Sequence, residues 1–238
     1  MKKVFVGMSG GVDSSLTTHL LLEQGYDVTG VYMKNWISDV AGYYCPWQED
    51  FNDAKRVASD LGINFLVFDF QTAYKQKVVD YLLDGYRRGI TPNPDVMCNQ
   101  EIKFKLFFDQ AIKAGADYIA TGHYARIELE DKKFYLKTAY DSSKDQTYFL
   151  YRMSYEALTK SLMPLGGFLK SEVRLLASKR HIWTANKKDS QGICFVGKIP
   201  IKEFLLEQLG PQPPGLIKDD HQNIVGQHDG AIFYTIGQ

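Results

Sequence analysis

The stretch Val4-Phe5-Val6-Gly7-Met8-Ser9-Gly10-Gly11-Val12-Asp13-Ser14 decides how this chain is read. Val4–Met8 is an unbroken apolar run of strand length. Leu16, Leu20 and Leu21 then fall on one helical face, so the segment predicts a strand, a glycine turn and a helix that ends near Gly25. A loop in that position exposes backbone N–H groups at the positive end of the helix dipole, which attracts an anion. Gly10 and Gly11 let the backbone approach a phosphate with no Cβ in the way, and Ser9 and Ser14 add hydroxyl donors. No lysine follows the glycines, so the pattern is not Gly-x-x-x-x-Gly-Lys-[Ser/Thr], and its spacing is not Gly-x-Gly-x-x-Gly. Asp13 is out of place as a bare neighbour of a phosphate; a bound Mg²⁺ would resolve the repulsion. The competing reading is a tight turn that Asp13 or Ser14 merely caps.

Outward from the loop the same unit repeats. Asp27–Met33 reads as a strand, Phe51–Leu61 as a helix with Ala54, Val57 and Leu61 on one face, and Phe65–Phe70 as a third strand. Tyr74–Tyr86 and Phe104–Ala114 read as helices, and Tyr118–Thr121 as a short strand ending in Gly122-His123. Strands and helices alternating through short connections predict an α/β fold, a doubly wound parallel sheet. Ligands of such sheets sit at the carboxyl ends of the strands, so the loop after Met8, the residues after Val31 and Gly122-His123 converge on one rim. Beyond the sheet, Ala125–Leu129 and Phe134–Thr138 predict a β-hairpin, and residues 146–163 and 170–180 predict helices. Gly210-Pro211-Gln212-Pro213-Pro214-Gly215 reads as a linker. The expected organisation is therefore a catalytic domain over 1–209, then linker and the beginning of a β-rich domain over 210–238, too short for a core of its own.

With 238 residues and 45% hydrophobic content the chain can bury a full core. Its longest apolar runs are strand-sized, far short of the roughly 20 residues of a membrane helix, so no membrane association is expected. Met1-Lys2-Lys3 runs directly into the first strand with no signal core, which predicts a cytoplasmic protein. Lys+Arg and Asp+Glu balance at 28 each, which taken alone argues against nucleic acid. The average conceals a local excess: residues 151–190 carry eight Lys/Arg against three acids, a balance of +5 that is either a polyanion-binding patch or a set of solvated helix faces.

Three cysteines, Cys45, Cys98 and Cys194, are too few and too scattered for a secreted disulfide framework. Cys45, beside Pro46 and Trp47, reads as structural. Cys98 lies in Thr91-Pro92-Asn93-Pro94-Asp95-Val96-Met97-Cys98-Asn99, where two prolines predict an extended loop, with Asp95 three residues before the thiol. Cys194 lies in Asp189-Ser190-Gln191-Gly192-Ile193-Cys194-Phe195, where Gly192 permits a turn and Lys187-Lys188 would favour a thiolate. Both thiols read as presented to solvent; for either one, a small core residue is the alternative.

The Ser9–Ser14 hexapeptide resembles the pyrophosphate loop (PP-loop) of the adenylating N-type ATP pyrophosphatases, with their adenine nucleotide alpha hydrolase-like fold. Five motifs in order narrow the resemblance: Gly7–Ser15, Asn93–Asn99, Thr121-Gly122-His123-Tyr124-Ala125, Ser143-Lys144-Asp145-Gln146-Thr147-Tyr148 and Ser190–Phe195. Together they make the chain similar, over its whole length, to the tRNA-specific 2-thiouridylases. That resemblance implies an ATP-dependent enzyme that adenylates O2 of the wobble uridine of tRNA. Sulfur from a cysteine persulfide, delivered by a donor protein, then displaces AMP to give 2-thiouridine. By position, Cys194 would carry the persulfide. Cys98 would release sulfide from it or close a disulfide with it, and Asp95 would be the acid/base beside Cys98. Gly7, Met8, Ser9, Gly10, Gly11, Val12, Asp13, Ser14, Met33 and Gly122 would contact ATP. Asn93, Pro94 and Asp95 would contact the target base, and Lys144, Asp145 and Gln146 the tRNA. Met33 can equally be core, and His123 is read as a supporting or packing residue. Mg²⁺ is expected with ATP, with no dedicated protein ligands. The family continues past Gln238 into more of the β-rich domain and a C-terminal β-barrel, so the chain reads as truncated. Two rivals remain: a sister adenylating enzyme with an amine nucleophile, and a nucleotide-binding module without catalysis.

Overall fold

In a computed structural model, residues 1–36, 47–189 and 200–235 are described. Cys45, Cys194 and the Ser190–Phe195 motif lie outside the described residues. The strands in chain order are β1 (Lys3–Gly7), β2 (Asp27–Lys34), β3 (Asn64–Asp69), β4 (Tyr118–Ala120), β5 (Ala125–Glu130), β6 (Lys133–Thr138), β7 (Ser161–Leu162), β8 (Gly215–Lys218) and β9 (Ile224–His228). Five of them form one sheet in the order β3-β2-β1-β4-β7, every neighbouring pair parallel. β2 and β3 lie to one side of β1, and β4 and β7 to the other. The order reverses at β1/β4, so the loops leaving these two strands open a crevice between them.

Helices cover both faces, as the alternation of β1 requires. Val4 and Val6 join a core with Leu16 and Leu20 of helix Val12–Glu23, Ala54 and Val57 of helix Trp47–Asp60, and Val173 and Ala177 of helix Lys170–Lys179. Phe5 points the other way, into a core with Tyr74, Val78 and Leu82 of the helical run 71–87 and Ile102 and Phe107 of the run 94–113. Val31 and Tyr32 on β2, and Ile119 and Ala120 on β4, divide between the same two cores.

Two sequence expectations fail locally. The helix expected from Phe104 starts ten residues earlier, because Pro94–Met97 is helical and runs through a π-helical segment, Cys98–Phe107, into Phe108–Lys113. Proline breaks a helix interior but suits its first position, where the N–H has no partner to lose. Asn93 caps that start, its Oδ1 accepting from the N–H groups of Asp95 and Val96 at 3.1 and 3.2 Å. Cys98 is consequently helical and 2% exposed, neither in an extended loop nor presented to solvent. Residues 146–163 are likewise not one helix: a 3₁₀ turn, Thr147–Phe149, is followed by the short helix Tyr155–Thr159, capped by Ser154, and then by β7. Two residues of strand are below anything periodicity can register.

β5 and β6 form the predicted hairpin. Helix Ile201–Leu209 buries Phe204 and Leu205 in the same core as Tyr74 and Leu82. After Gly210, at φ 75°, residues 211–214 are irregular, and β8 pairs antiparallel with β9. Leu216, Ile217, Ile224 and Val225 of this hairpin stay exposed, so it adds little to the core. Among the described residues no helix is long and apolar enough to cross a membrane.

Candidate active site

The glycine loop leaves β1 at the switch point. Gly11 is the N-cap of helix Val12–Glu23 in extended conformation, and no side chain caps the helix. The first-turn N–H groups are thus available to an anion. The loop is held by its own hydroxyls: Ser14 Oγ accepts from the Ser9 N–H at 3.2 Å and donates to the Gly11 carbonyl at 3.2 Å, which Ser15 Oγ also reaches at 2.9 Å. Gly10 has φ +76°, and a Cβ there would overlap the Asp50 carbonyl. A Cβ on Gly7 would meet Met33 Cε at 2.9 Å, so Met33 covers the foot of the loop while also packing on the core. From β4 comes Gly122, where a Cβ would lie 2.9 Å from the Ser14 nitrogen. All ten residues expected around the nucleotide therefore meet at one end of the sheet.

Asp13 is not a bare carboxylate. Lys170 Nζ donates to its Oδ1 and Oδ2 at 2.7 and 2.8 Å, and the Tyr124 hydroxyl donates to Oδ1 at 2.9 Å. Burial, then the adjacent Asp13 charge and hydrogen bond, push the Tyr124 phenol far above its ordinary range and keep it a donor. The repulsion that seemed to demand a metal is thus met by a lysine 157 residues away in sequence. Lys170 also lies 3.0 Å from Asp189, which Arg174 holds at 2.7 Å and Lys144 approaches at 3.9 Å. Burial works against the Asp189 charge, but the Lys170 hydrogen bond and the surrounding cations outweigh it and hold the carboxyl below its ordinary value. Among the described residues no group of three or more His, Cys, Asp or Glu could hold a metal ion.

The thiol turn meets the loop through two residues that the sequence reading did not single out as functional or left in support. His123 follows Gly122, is buried, and is pushed well below its ordinary pKa by burial and then by Lys103. Its Nδ1 pairs with the Thr121 hydroxyl at 2.8 Å, and its Nε2 lies 3.4 Å from Lys103 Nζ. Lys103 also faces Asp95, whose carboxyl is raised by burial and only partly pulled back by that ammonium. His123 and Lys103 thus stand between Gly122 of the glycine-loop rim and the helical turn that carries Asp95 and Cys98, with Lys103 acting on Asp95 through its charge and not through an ion pair. Asn99, 4% exposed, donates from Nδ2 to the Asp95 carbonyl at 3.0 Å and fixes the turn further. Lys103 sits eight positions beyond Asp95, which becomes informative only once the helix is known to start at Pro94.

Half of the eight cations counted over 151–190 are ion-paired and not free at the surface. Lys170 is taken by Asp13 and Asp189, Arg174 by Asp189, Arg180 by Glu23, and Lys187 by Asp50 and Asp53 at 2.7 and 2.5 Å. Four of those five acids belong to the first 60 residues, so summing charge along the sequence missed their neutralising partners. Exposed near the thiol turn are Tyr148, Tyr151 and Arg152, the last with Nη1 3.6 Å from Met97 Sδ, while Lys144 is exposed beside Asp189. Asp145 and Gln146 turn inward: Asp145 accepts from the Ala139 N–H and the Thr147 hydroxyl, and Gln146 Oε1 accepts from the Tyr124 N–H. They hold the turn that displays Lys144.

A parallel sheet with a glycine loop at its switch point, followed by a small β-rich region, places the chain in the PP-loop class of α/β proteins. Residues 2–198 match the family profile described as the tRNA methyl transferase HUP domain, and residues 202–238 the one described as the tRNA methyl transferase PRC-barrel domain. Over 236 residues the chain is 51% identical to the tRNA-specific 2-thiouridylase MnmA of Listeria monocytogenes serotype 4b, covering 99% of this chain and 63% of that protein. It is 49% identical over 237 residues to the enzyme of the same name from Methylobacillus flagellatus, covering 100% and 66%. The chain belongs to the tRNA-specific 2-thiouridylase family. It spans a little under two thirds of the length of these relatives. In fold it is similar to a 4-thiouridine synthetase solved with RNA and bound ATP, at a TM-score of 0.55 and 20% identity over 87% of this chain and 50% of that one.

Proposed function

We propose that the protein thiolates the wobble uridine of tRNA at the expense of ATP, in the cytoplasm. The observation that carries the reading is the uncapped glycine loop with Gly122 packed against it and His123 and Lys103 beyond, on the side where Lys103 bears electrostatically on Asp95 of the Cys98 turn. ATP, with Mg²⁺ as its counter-ion, seats its phosphates on the N–H groups of residues 10–14, with Ser9, Met33 and Gly122 beside the nucleotide. Asn93, Pro94 and Asp95 receive the uracil, which has to leave the anticodon stack to bring O2 to the α-phosphate. O2 bonds to the α-phosphorus and pyrophosphate departs. Asp95 suits exchange of the N3 proton, because burial raises its carboxyl toward neutrality while Lys103 limits the rise. A donor protein charges Cys194 as a persulfide. Attack by the Cys98 thiolate on the inner sulfur frees sulfide, which displaces AMP, and leaves a Cys98–Cys194 disulfide for reductants to reopen. Because Cys98 is buried, docking of the base has to uncover it. Lys144 and Arg152 supply phosphate contacts and Tyr148 and Tyr151 stacking surfaces for tRNA, with Asp145 and Gln146 fixing the Lys144 turn. Residues 1–209 act as the catalytic domain, supported by the burial of Phe204 and Leu205 in its core, and 210–238 begin the β-rich domain.

The profile description suggests methyl transfer as a second reading. One assay separates the two: full-length protein, unmodified tRNA, ATP-Mg²⁺ and a persulfide donor, with nucleosides read by mass. Thiolation predicts sulfur in place of oxygen, strict dependence on ATP, and loss of product in Cys98→Ser and Cys194→Ser. Normal product from either variant would overturn the relay. A methylated nucleoside formed with a methyl donor and no ATP would overturn the activity itself.

A further inference from the structure

We propose that Lys170 is the phosphate-binding lysine of the nucleotide site, supplied by tertiary structure where the glycine loop has none. The inference rests on the ATP reading above. Residues 9–15 contain no cation, and the first lysine after them is Lys34. Lys170 opens helix Lys170–Lys179, the end at which the helix dipole disfavours a positive charge, and its side chain is only 12% exposed. A lysine that is mostly buried at the unfavourable end of a helix conflicts with local preference, and such conflicts mark functional positions. The fold nevertheless aims its ammonium at Asp13, in the first turn of helix Val12–Glu23, and so at the same uncapped helix end that would receive the phosphates.

The ion pairing around Lys170 is redundant. Asp13 keeps the Tyr124 hydroxyl at 2.9 Å, and Asp189 keeps Arg174 at 2.7 Å and Lys144 at 3.9 Å. When a third anion takes up the ammonium, both carboxylates retain a partner. With Asp141, whose Oδ2 accepts from the Lys170 N–H at 2.9 Å, three cations (Lys144, Lys170 and Arg174) face three carboxylates, so a further anion is met by re-partnering of the Lys170 ammonium and not by an excess of positive charge. In the adenylation step the uracil O2–phosphorus bond forms as the bond from the α-phosphorus to the β-bridging oxygen breaks. The electron pair leaves on pyrophosphate, and the N3 proton passes to Asp95. The Lys170 Nζ hydrogen-bonds the departing pyrophosphate oxygens, where negative charge accumulates.

The test uses full-length wild type, Lys170→Gln and Lys170→Arg, each measured at a temperature below the onset of its own cooperative melting transition. Equilibrium binding of ATP-Mg²⁺ and of AMP is measured alongside pyrophosphate release with unmodified tRNA. Lys170→Gln is expected to weaken ATP binding at least tenfold, leave AMP binding within twofold, and slow pyrophosphate release at least a hundredfold; Lys170→Arg recovers most of the loss. Parallel weakening of ATP and AMP, as a merely structural role predicts, overturns the assignment. So does an unchanged ratio of the two affinities. If wild type binds ATP yet releases no pyrophosphate with tRNA, the adenylation reading fails while the affinity ratio still decides the role of Lys170. Lys170→Gln was chosen because it retains a donor to Asp13.

Discussion

Gly10 and Asp13 bear on the same loop through different physics. At Gly10, φ +76° disfavours any L side chain, and the Asp50 carbonyl occupies the space a Cβ would need. Gly10→Ala is expected to cost about 2 kcal/mol or more of unfolding free energy, since left-handed strain and a backbone clash add and neither has a flexible side chain to yield. Denaturant unfolding checks the magnitude, and a loss within 0.5 kcal/mol would mean that the loop relaxes freely. Gly10 was legible in the sequence because a glycine's permissiveness is a local property. Asp13 was legible only as a contradiction. The sequence displayed a carboxylate where phosphate belongs and suggested a metal, whereas Lys170 and Tyr124, on segments with no sequence relation to the loop, carry the compensation.

At the scale of the element, the helical run beginning at Pro94 positions Asp95, Cys98, Asn99 and Lys103 together. Its start depends on the Asn93 cap, whose single side-chain oxygen takes two otherwise unpaired N–H groups. Asn93→Ala is expected to destabilise the protein by about 1 kcal/mol, with faster hydrogen exchange over 95–98, and Asn93→Ser to restore most of both. Thiolation failing in Asn93→Ser while exchange is restored would isolate a contact with the base from the capping role. The sequence reading erred here by weighing two prolines as helix breakers. A proline preceded by asparagine is equally a helix start, and the choice falls to what the next turns bury, Val96, Ile102 and Phe107 among them. β7 escaped for the opposite reason: two residues carry no period, and only pairing with β4 makes them a strand.

At the scale of the whole molecule, ion pairs tie residues 170–189 to the first 60 residues: Lys170 to Asp13, Arg180 to Glu23, and Lys187 to Asp50 and Asp53. Asp189 is the acid that gathers the middle of this network. Its carboxyl is held below its ordinary value, so between those two values the unfolded chain binds more protons than the folded one. The stabilisation is complete above the ordinary aspartate range and is lost as pH falls through the depressed folded value. Asp189→Asn is accordingly expected to lower stability at pH 7 by about 1 kcal/mol, a modest figure because a third of the side chain is in water and screening weakens the pairs. The difference from wild type should shrink as pH falls from the ordinary aspartate range to the depressed folded value. Thermal melts across the acid range check both, and a difference that persists or grows in acid would refute the account.

The sequence by itself determined the doubly wound sheet, the glycine loop and its place at the end of β1, and the rim to which Gly122 belongs. These follow from apolar periodicity, from glycine's freedom and from the rule that parallel sheets open their sites at a switch point, all of which act over a few residues or through topology. Tertiary structure alone decided which charges meet. Electrostatic partners are chosen by distance in space, so half of the cations counted along residues 151–190 are paired with acids, most of them from the first 60 residues, and Lys170 comes to stand beside a loop that carries no lysine of its own.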